Sequence, residues 1–144
     1  MKVFIVFIAL LIANITFISY QGDLNRYGRL QTYLKDVAEE AAAGASLYYD
    51  EVAYSHGSMV INREEGQKYI EHLLIRAGQT LDLKEGESLN AEMEILDDST
   101  GAADPGISPA VTVTLHLTVT DLFRLPFLTK EQVVRSAKYE LADY

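Results

Sequence analysis

The architecture of this chain depends on the segment from Val3 to Asp50, which reads VFIVFIALLIANITFISYQGDLNRYGRLQTYLKDVAEEAAAGASLYYD. It contains no proline, and none follows until Pro105. Its first part, Val3 to Tyr20, carries no charge. As a helix this part spans roughly 27 Å, close to the bilayer core of about 30 Å. The pattern predicts one long helix whose first part, residues 1–21, is a transmembrane anchor.

The charges around the anchor predict its orientation. Lys2 is the only charged side chain on the N-terminal side, so the positive-inside rule places Met1 in the cytoplasm and the rest of the chain outside. The alternative is a cleaved signal peptide with an apolar region from Val3 to Ala13. The residues after Ala13 stay apolar, and small residues do not mark a cleavage site. The sequence therefore favours a retained single-pass anchor in the cytoplasmic membrane, with residues 3–20 in lipid.

Beyond the anchor, apolar residues recur every three or four positions, which indicates an amphipathic helix. This stripe consists of Leu24, Tyr27, Leu30, Leu34, Val37, Ala41, Ala45, Tyr48 and Val52. Asp23 and further charged residues are predicted on the other face. Ala41, Ala42 and Ala45 belong to a run of small side chains, which permits close approach of another backbone. The run packs either against the chain's own sheet or against a neighbouring subunit. If it contacts a neighbouring subunit, we expect Ala42→Leu to abolish assembly.

The remaining residues predict a short helix and then three strands. Asn62 has the features of an N-cap, with Glu65 as the second residue of a capping box, and Gly78 marks the helix end. Apolar and polar residues then alternate over about 89–95, 111–119 and 133–141, as in half-buried strands. The expected fold class is α+β, with a three-stranded antiparallel sheet packed on the long helix. Residues 22–144 would form an extracytoplasmic domain.

Charge and composition exclude several functional classes. The chain has 144 residues, 12 basic and 21 acidic side chains and a net charge of −9, which speaks against a nucleic-acid partner. It has no cysteine, which excludes disulfides and thiolate zinc sites. His56, His72 and His116 lie far apart and lack a second ligand at metal-binding spacing. No catalytic motif is present, so we expect neither an enzyme nor a cofactor.

Two loops carry the remaining candidate sites. Asp97, Asp98 and Asp104 gather oxygen atoms that suit calcium, although their spacing does not match an EF-hand, and a solvated loop is the simpler interpretation. Phe123, Leu125 and Phe127 lie in an apolar connection between two predicted strands. These three side chains either fold back over the end of the sheet or contact a partner or the membrane.

Three stretches together resemble the TadE-like minor pseudopilins of tight-adherence pili, within the type IV pilin superfamily. They are the anchor, the helix DVAEEAAAGASLYYDEVAY (Asp36–Tyr54), and VTVTLHLTVTDLFRLPFL followed by VVRSAKYEL. The resemblance implies a structural or assembly component of a pilus or related secretion machinery. Its partners would be other pilin-like subunits and assembly proteins, and its location the membrane or a surface filament.

The chain departs from the pilin pattern in its anchor. Pilins carry Glu at the fifth position of the hydrophobic stretch, whereas this chain has no acid before Asp23. Asn14 is the strongly polar group in the anchor, and we expect it to form a hydrogen bond to another helix. A membrane-anchored module that binds a ligand or calcium through Asp97–Asp104 is the alternative function.

Overall fold

The fold is α+β, as predicted. A computed structural model describes residues 1–100, 108–124 and 131–141. Its elements, in chain order, are α1 (Lys2–Ser46), α2 (Glu51–Ser55), α3 (Arg63–Leu81), β1 (Ser88–Leu96), β2 (Ala110–Thr118) and β3 (Gln132–Glu140). The long first helix, the later helix and the three strands all lie close to their predicted positions.

Helix α1 is uninterrupted for 45 residues, a length of about 68 Å. It ends at Ser46 rather than at the predicted Asp50, because the chain turns there and Tyr49 pairs with Ile61 in an isolated β-bridge. Asp50 instead caps α2, a helix that the sequence did not predict, by accepting hydrogen bonds from the N–H groups of Val52 and Ala53. The predicted apolar stripe was therefore wrong at its end, and Val52 is 68% exposed.

Helix α3 begins directly after Asn62, as predicted, and the Asn62 side chain accepts a hydrogen bond from the Glu65 N–H. The second half of the capping box does not form, because the Asn62 N–H donates to the carbonyl of Tyr48. The helix continues through Gly78, its predicted end, to Leu81.

The three strands form an antiparallel sheet in the order β1-β2-β3. Alternate residues of the central strand and its continuation point toward the helices and are buried: Val111, Val113, Leu115, Leu117 and Val119. Helix α1 packs against β2 and β3, and α3 packs against β1. The sequence predicted that α1 alone covers one face of the sheet, whereas α1 and α3 cover this face together.

The strand directions define two ends of the domain. Arg124, just after β2, contacts Asp23 of α1, and we call this region the anchor-side end. Asp97, just after β1, contacts Ile61 beyond the end of α1, and we call this region the distal end. Strands β1 and β3 therefore run away from the N-terminal half of α1, and β2 runs toward it.

Candidate assembly surface

The first half of α1 is an exposed apolar surface. Every residue from Met1 to Ile18 is exposed, and side chains such as Phe4, Phe7 and Phe17 expose more than half of their area. The most apolar 18-residue window of α1 has a mean hydropathy of 2.5. Among the described residues, α1 is the one helix long and apolar enough to cross a membrane. Its composition fits a membrane anchor or a signal sequence, because so large an apolar surface requires a nonaqueous partner.

The polar side chains of this surface bond to their own helix. Asn14 Nδ2 donates to the carbonyl of Leu10 at 2.8 Å, and Thr16 Oγ1 donates to that of Ile12 at 2.9 Å. Such local bonds lower the cost of placing a polar group in lipid. Asn14 is exposed, and its predicted contact with another helix remains a prediction.

Ala41, Ala42 and Ala45 do not form an exposed interface, so their prediction as a contact with another subunit needs correction. Each is at most 1% exposed and belongs to the hydrophobic core of the chain itself. The other interpretation of the run, packing within the chain, fits the structure. Small side chains are needed there because the helices and the sheet approach one another closely.

Glycines lie in the contact between α1 and α3. A Cβ atom on Gly44 would overlap with the ring of Tyr69 on α3, and its distance to the Tyr69 hydroxyl oxygen would be 2.7 Å. A Cβ atom on Gly66 would lie 3.5 Å from the Cβ of Ala45, an ordinary contact. The Tyr69 ring also packs against Tyr48, with 5.9 Å between ring centroids. Small residues on both helices thus join α3 to the distal part of α1.

At the anchor-side end, Asp23 is a buried carboxylate. Only 6% of it is exposed, and its Oδ2 accepts a hydrogen bond from the Arg124 N–H at 2.9 Å. The predicted place of Asp23 on the charged face of the helix was wrong. The available signal was its spacing, since Asp23 lies at helical intervals before Tyr27, Leu30 and Leu34.

The connection after β2 folds back onto α1 at this end. Leu122 is 1% exposed, and the half-buried ring of Phe123 packs against Tyr27 with 5.8 Å between centroids. Arg26 adds a hydrogen bond to the carbonyl of Asp121 at 3.2 Å. Of the two interpretations of Phe123, the structure supports cover of the sheet end. Leu125 and Phe127 lie outside the described residues.

Removing the Asp23 carboxylate is expected to loosen the anchor-side end. In Asp23→Ala, the Arg124 N–H loses its acceptor, at a cost of about 1–3 kcal/mol. Asp23→Asn keeps an acceptor oxygen and should cost less. Urea unfolding of the full chain in detergent, followed by tyrosine fluorescence, measures both variants. Equal stability of both variants and the wild type would show that this bond contributes nothing.

At the distal end, Asp97 holds two segments together. It is 2% exposed, and its Oδ2 accepts a hydrogen bond from the Ile61 N–H at 2.9 Å. Its Oδ1 accepts from the Ser99 hydroxyl at 2.6 Å and from the N–H groups of Ser99 and Thr100. Burial raises the pKa of Asp97, but the hydrogen bonds from Ser99, Ile61 and Thr100 outweigh burial, so the net pKa is lowered.

Asp98, another candidate calcium ligand, also accepts a hydrogen bond from the backbone of a distant segment. Asp98 Oδ2 accepts a hydrogen bond from the Met59 N–H at 2.6 Å, so both aspartates attach the segment before α3 to the end of β1. Donor hydrogens therefore point at the oxygens that a cation would need. Asp104 lies outside the described residues. Within the described residues there is no group of three or more His, Cys, Asp or Glu side chains that could hold a metal.

The three histidines do not meet in the structure. His116 lies on the outer face of β2, and its Nε2 is 3.9 Å from Oε2 of Glu92. In the described ranges, this nitrogen is buried and has no hydrogen-bond partner. His56 is exposed at the distal end and His72 is exposed on α3.

Comparisons of the chain with protein-family models, curated proteins and solved structures give no match. Its function must therefore be inferred from its own residues and surfaces.

Proposed function

We propose that this chain is a membrane-anchored, TadE-like structural or assembly component of a type IV or Tad pilus or related secretion machinery. One observation carries the proposal. The helix α1 is apolar and exposed in its first half, and in its second half it supplies core residues of the α+β domain. The exposed half suits lipid before assembly and the helices of other pilin-like subunits during assembly.

The proposed topology is a single pass with the N-terminus inside and the domain outside. Lys2 before the apolar segment supports this orientation under the positive-inside rule. The proposed partners are other pilin-like subunits and pilus assembly proteins, with lipid around residues 3–20. Assembled protein would reside in a surface filament.

Two charges in the apolar segment should prevent membrane insertion. Each arginine near the centre of a membrane helix costs about 3 kcal/mol, so Leu10→Arg with Leu11→Arg costs about 6 kcal/mol. We expect this variant to leave the carbonate-resistant membrane fraction. The matched control, Val52→Arg with Ile75→Arg, places the same charges on exposed apolar positions of the domain and should stay in membranes. Full membrane retention of the first variant would contradict the proposed anchor.

Assembly is tested by shearing intact cells and measuring the intact mass of the protein in the sheared and membrane fractions. Protein in the sheared fraction that keeps residues 3–20 identifies a filament subunit. Anchored protein found in membranes alone identifies an assembly component. A mass that corresponds to cleavage near Tyr20 would refute the retained anchor, because the apolar half of α1 would then be a signal sequence.

A further inference from the structure

We propose that copies of this chain pair edge to edge, with β3 of one copy added in parallel to β1 of the next. The inference rests on the proposed function, because it requires copies anchored in one membrane, and it identifies one partner as a second copy. Strands β1 and β3 are the outer strands of the sheet. Within the described part of the chain, each therefore has one side that pairs with no other strand, and such edges readily accept a further strand.

The strand directions suit copies that share a membrane. Both outer strands run away from the anchor, so β3 of one copy and β1 of another meet in parallel when their anchors point the same way. The helix-covered faces of the two sheets then lie on the same side. Antiparallel pairing of two β3 edges would instead turn one anchor away from the membrane.

The outer face offers complementary charges in this arrangement. Glu94, Thr112 and Lys138 lie in one row across the sheet of each copy. We call two copies level when the same residues lie at the same height along their strands. In level copies the row continues from one sheet into the next, and Lys138 of one copy lies beside Glu94 of its neighbour. Opposite charges at directly adjacent positions stabilise strand pairing. Lys138 already contacts Glu140 of its own strand at 2.6 Å, and both side chains are exposed.

The helix-facing side also offers a complementary pair. Arg135 lies on this side of β3, in one row with Leu115 and Ala91. None of the ion pairs among the described residues includes Arg135. Ala91 lines a groove of about 460 Å³ between β1 and α3. The charged residues that line this groove are two acids, Glu71 and Glu92, and one base, Arg63. Level pairing brings Arg135 of one copy to this groove, where the small Ala91 leaves room and the Glu71 carboxylate offers a counter-charge.

This pairing joins two different edges, so it is head-to-tail. A head-to-tail contact that does not close on itself adds copies without limit. Edge pairing therefore supplies a repeating lateral contact between copies anchored in one membrane.

Cysteine cross-linking tests the proposed register, and the chain contains no native cysteine. Two differently tagged full-length copies, one with Glu94→Cys and the other with Lys138→Cys, are expressed together and oxidised in membranes. We expect mixed disulfide dimers at about tenfold or more the yield of the control, because adjacent thiols have a far higher effective concentration. The control pairs Ser88→Cys with Lys138→Cys. Ser88 lies on the same exposed face of β1 as Glu94, but at the start of the strand, about 20 Å from Glu94.

Charge exchange tests the groove contact in the same assay. Arg135→Glu should lower the yield of mixed dimers, and adding Glu71→Arg should restore it. A yield no higher than the control, or a predominance of dimers between two Glu94→Cys copies, overturns the pairing. Carbonate extraction of the same membranes separates the two proposals. Retained protein without mixed dimers refutes edge pairing alone, whereas protein absent from membranes refutes the anchor and the pairing together.

Discussion

Asp97→Ala is expected to destabilise the domain by about 3 kcal/mol or more. The substitution removes the shared acceptor of the buried Ile61 N–H and of the part-buried donors of Ser99 and Thr100. Each unpaired buried donor costs about 1–3 kcal/mol, and the loop relaxes to recover part of that cost. Urea unfolding of the full chain in detergent should show a lower midpoint. Asp36→Ala, on the exposed face of α1, should change stability by less than about 0.5 kcal/mol.

The lowered pKa of Asp97 adds a pH dependence to this prediction. Because the pKa is lower in the folded chain than its usual value of 3.8, the ionised carboxylate stabilises the fold above that pH. This contribution is lost as the pH falls through the lower pKa of the folded state. Asp97→Asn cannot ionise and should lack this part of the acid sensitivity. An Asp97→Asn profile parallel to that of the wild type below pH 4 would show that the carboxylate does not supply it.

Ala42→Leu is expected to destabilise the domain by about 3 kcal/mol. Ala42 is 1% exposed and lies in the packed core, so the added carbons force side chains or backbone to move. Ala43→Leu is the matched control, because Ala43 is next in sequence and only half-buried, and it should cost less than about 1 kcal/mol. Urea midpoints of both variants in detergent measure the difference.

The same variant separates two causes of an assembly defect. If the small-residue run contacted a neighbouring subunit, Ala42→Leu would block assembly, whereas the structure predicts that the variant loses its own fold. An Ala42→Leu protein that unfolds at the wild-type urea concentration but does not assemble would instead support a contact between subunits at Ala42.

Sequence periodicity was enough to predict the main elements. The apolar half of α1 follows from an uncharged apolar run, and β2 follows from strict alternation between Val111 and Thr118. The end of α1 was not predictable in this way, because Tyr48 and Val52 continue the helical spacing into a segment where they are exposed. Local spacing reports which residues would share a helix face, but it does not report where the chain turns.

The candidate sites were harder to predict because their partners are distant in sequence. Asp23 is buried by the segment around Arg124, and Asp97 is bound by Ile61, which belongs to another connection. A carboxylate in a polar loop has the same sequence signature whether it binds a cation, water or backbone N–H groups. The three-dimensional contacts distinguish these cases, and for Asp97 they identify a structural role.

Because α1 is continuous, its length also determines how far the distal end of the domain would lie from a membrane. When residues 3–20 span a bilayer, the helix from Tyr20 to Ser46 rises about 40 Å above its surface. The Debye length at physiological salt is about 8 Å, so repulsion between anionic lipid and the distal carboxylates of Asp97 and Asp98 would be almost fully screened at that height. If residues 3–20 are the proposed anchor, a lateral force on the distal end would tilt the whole of α1 within the lipid, because α1 continues without a loop from the apolar segment into the domain.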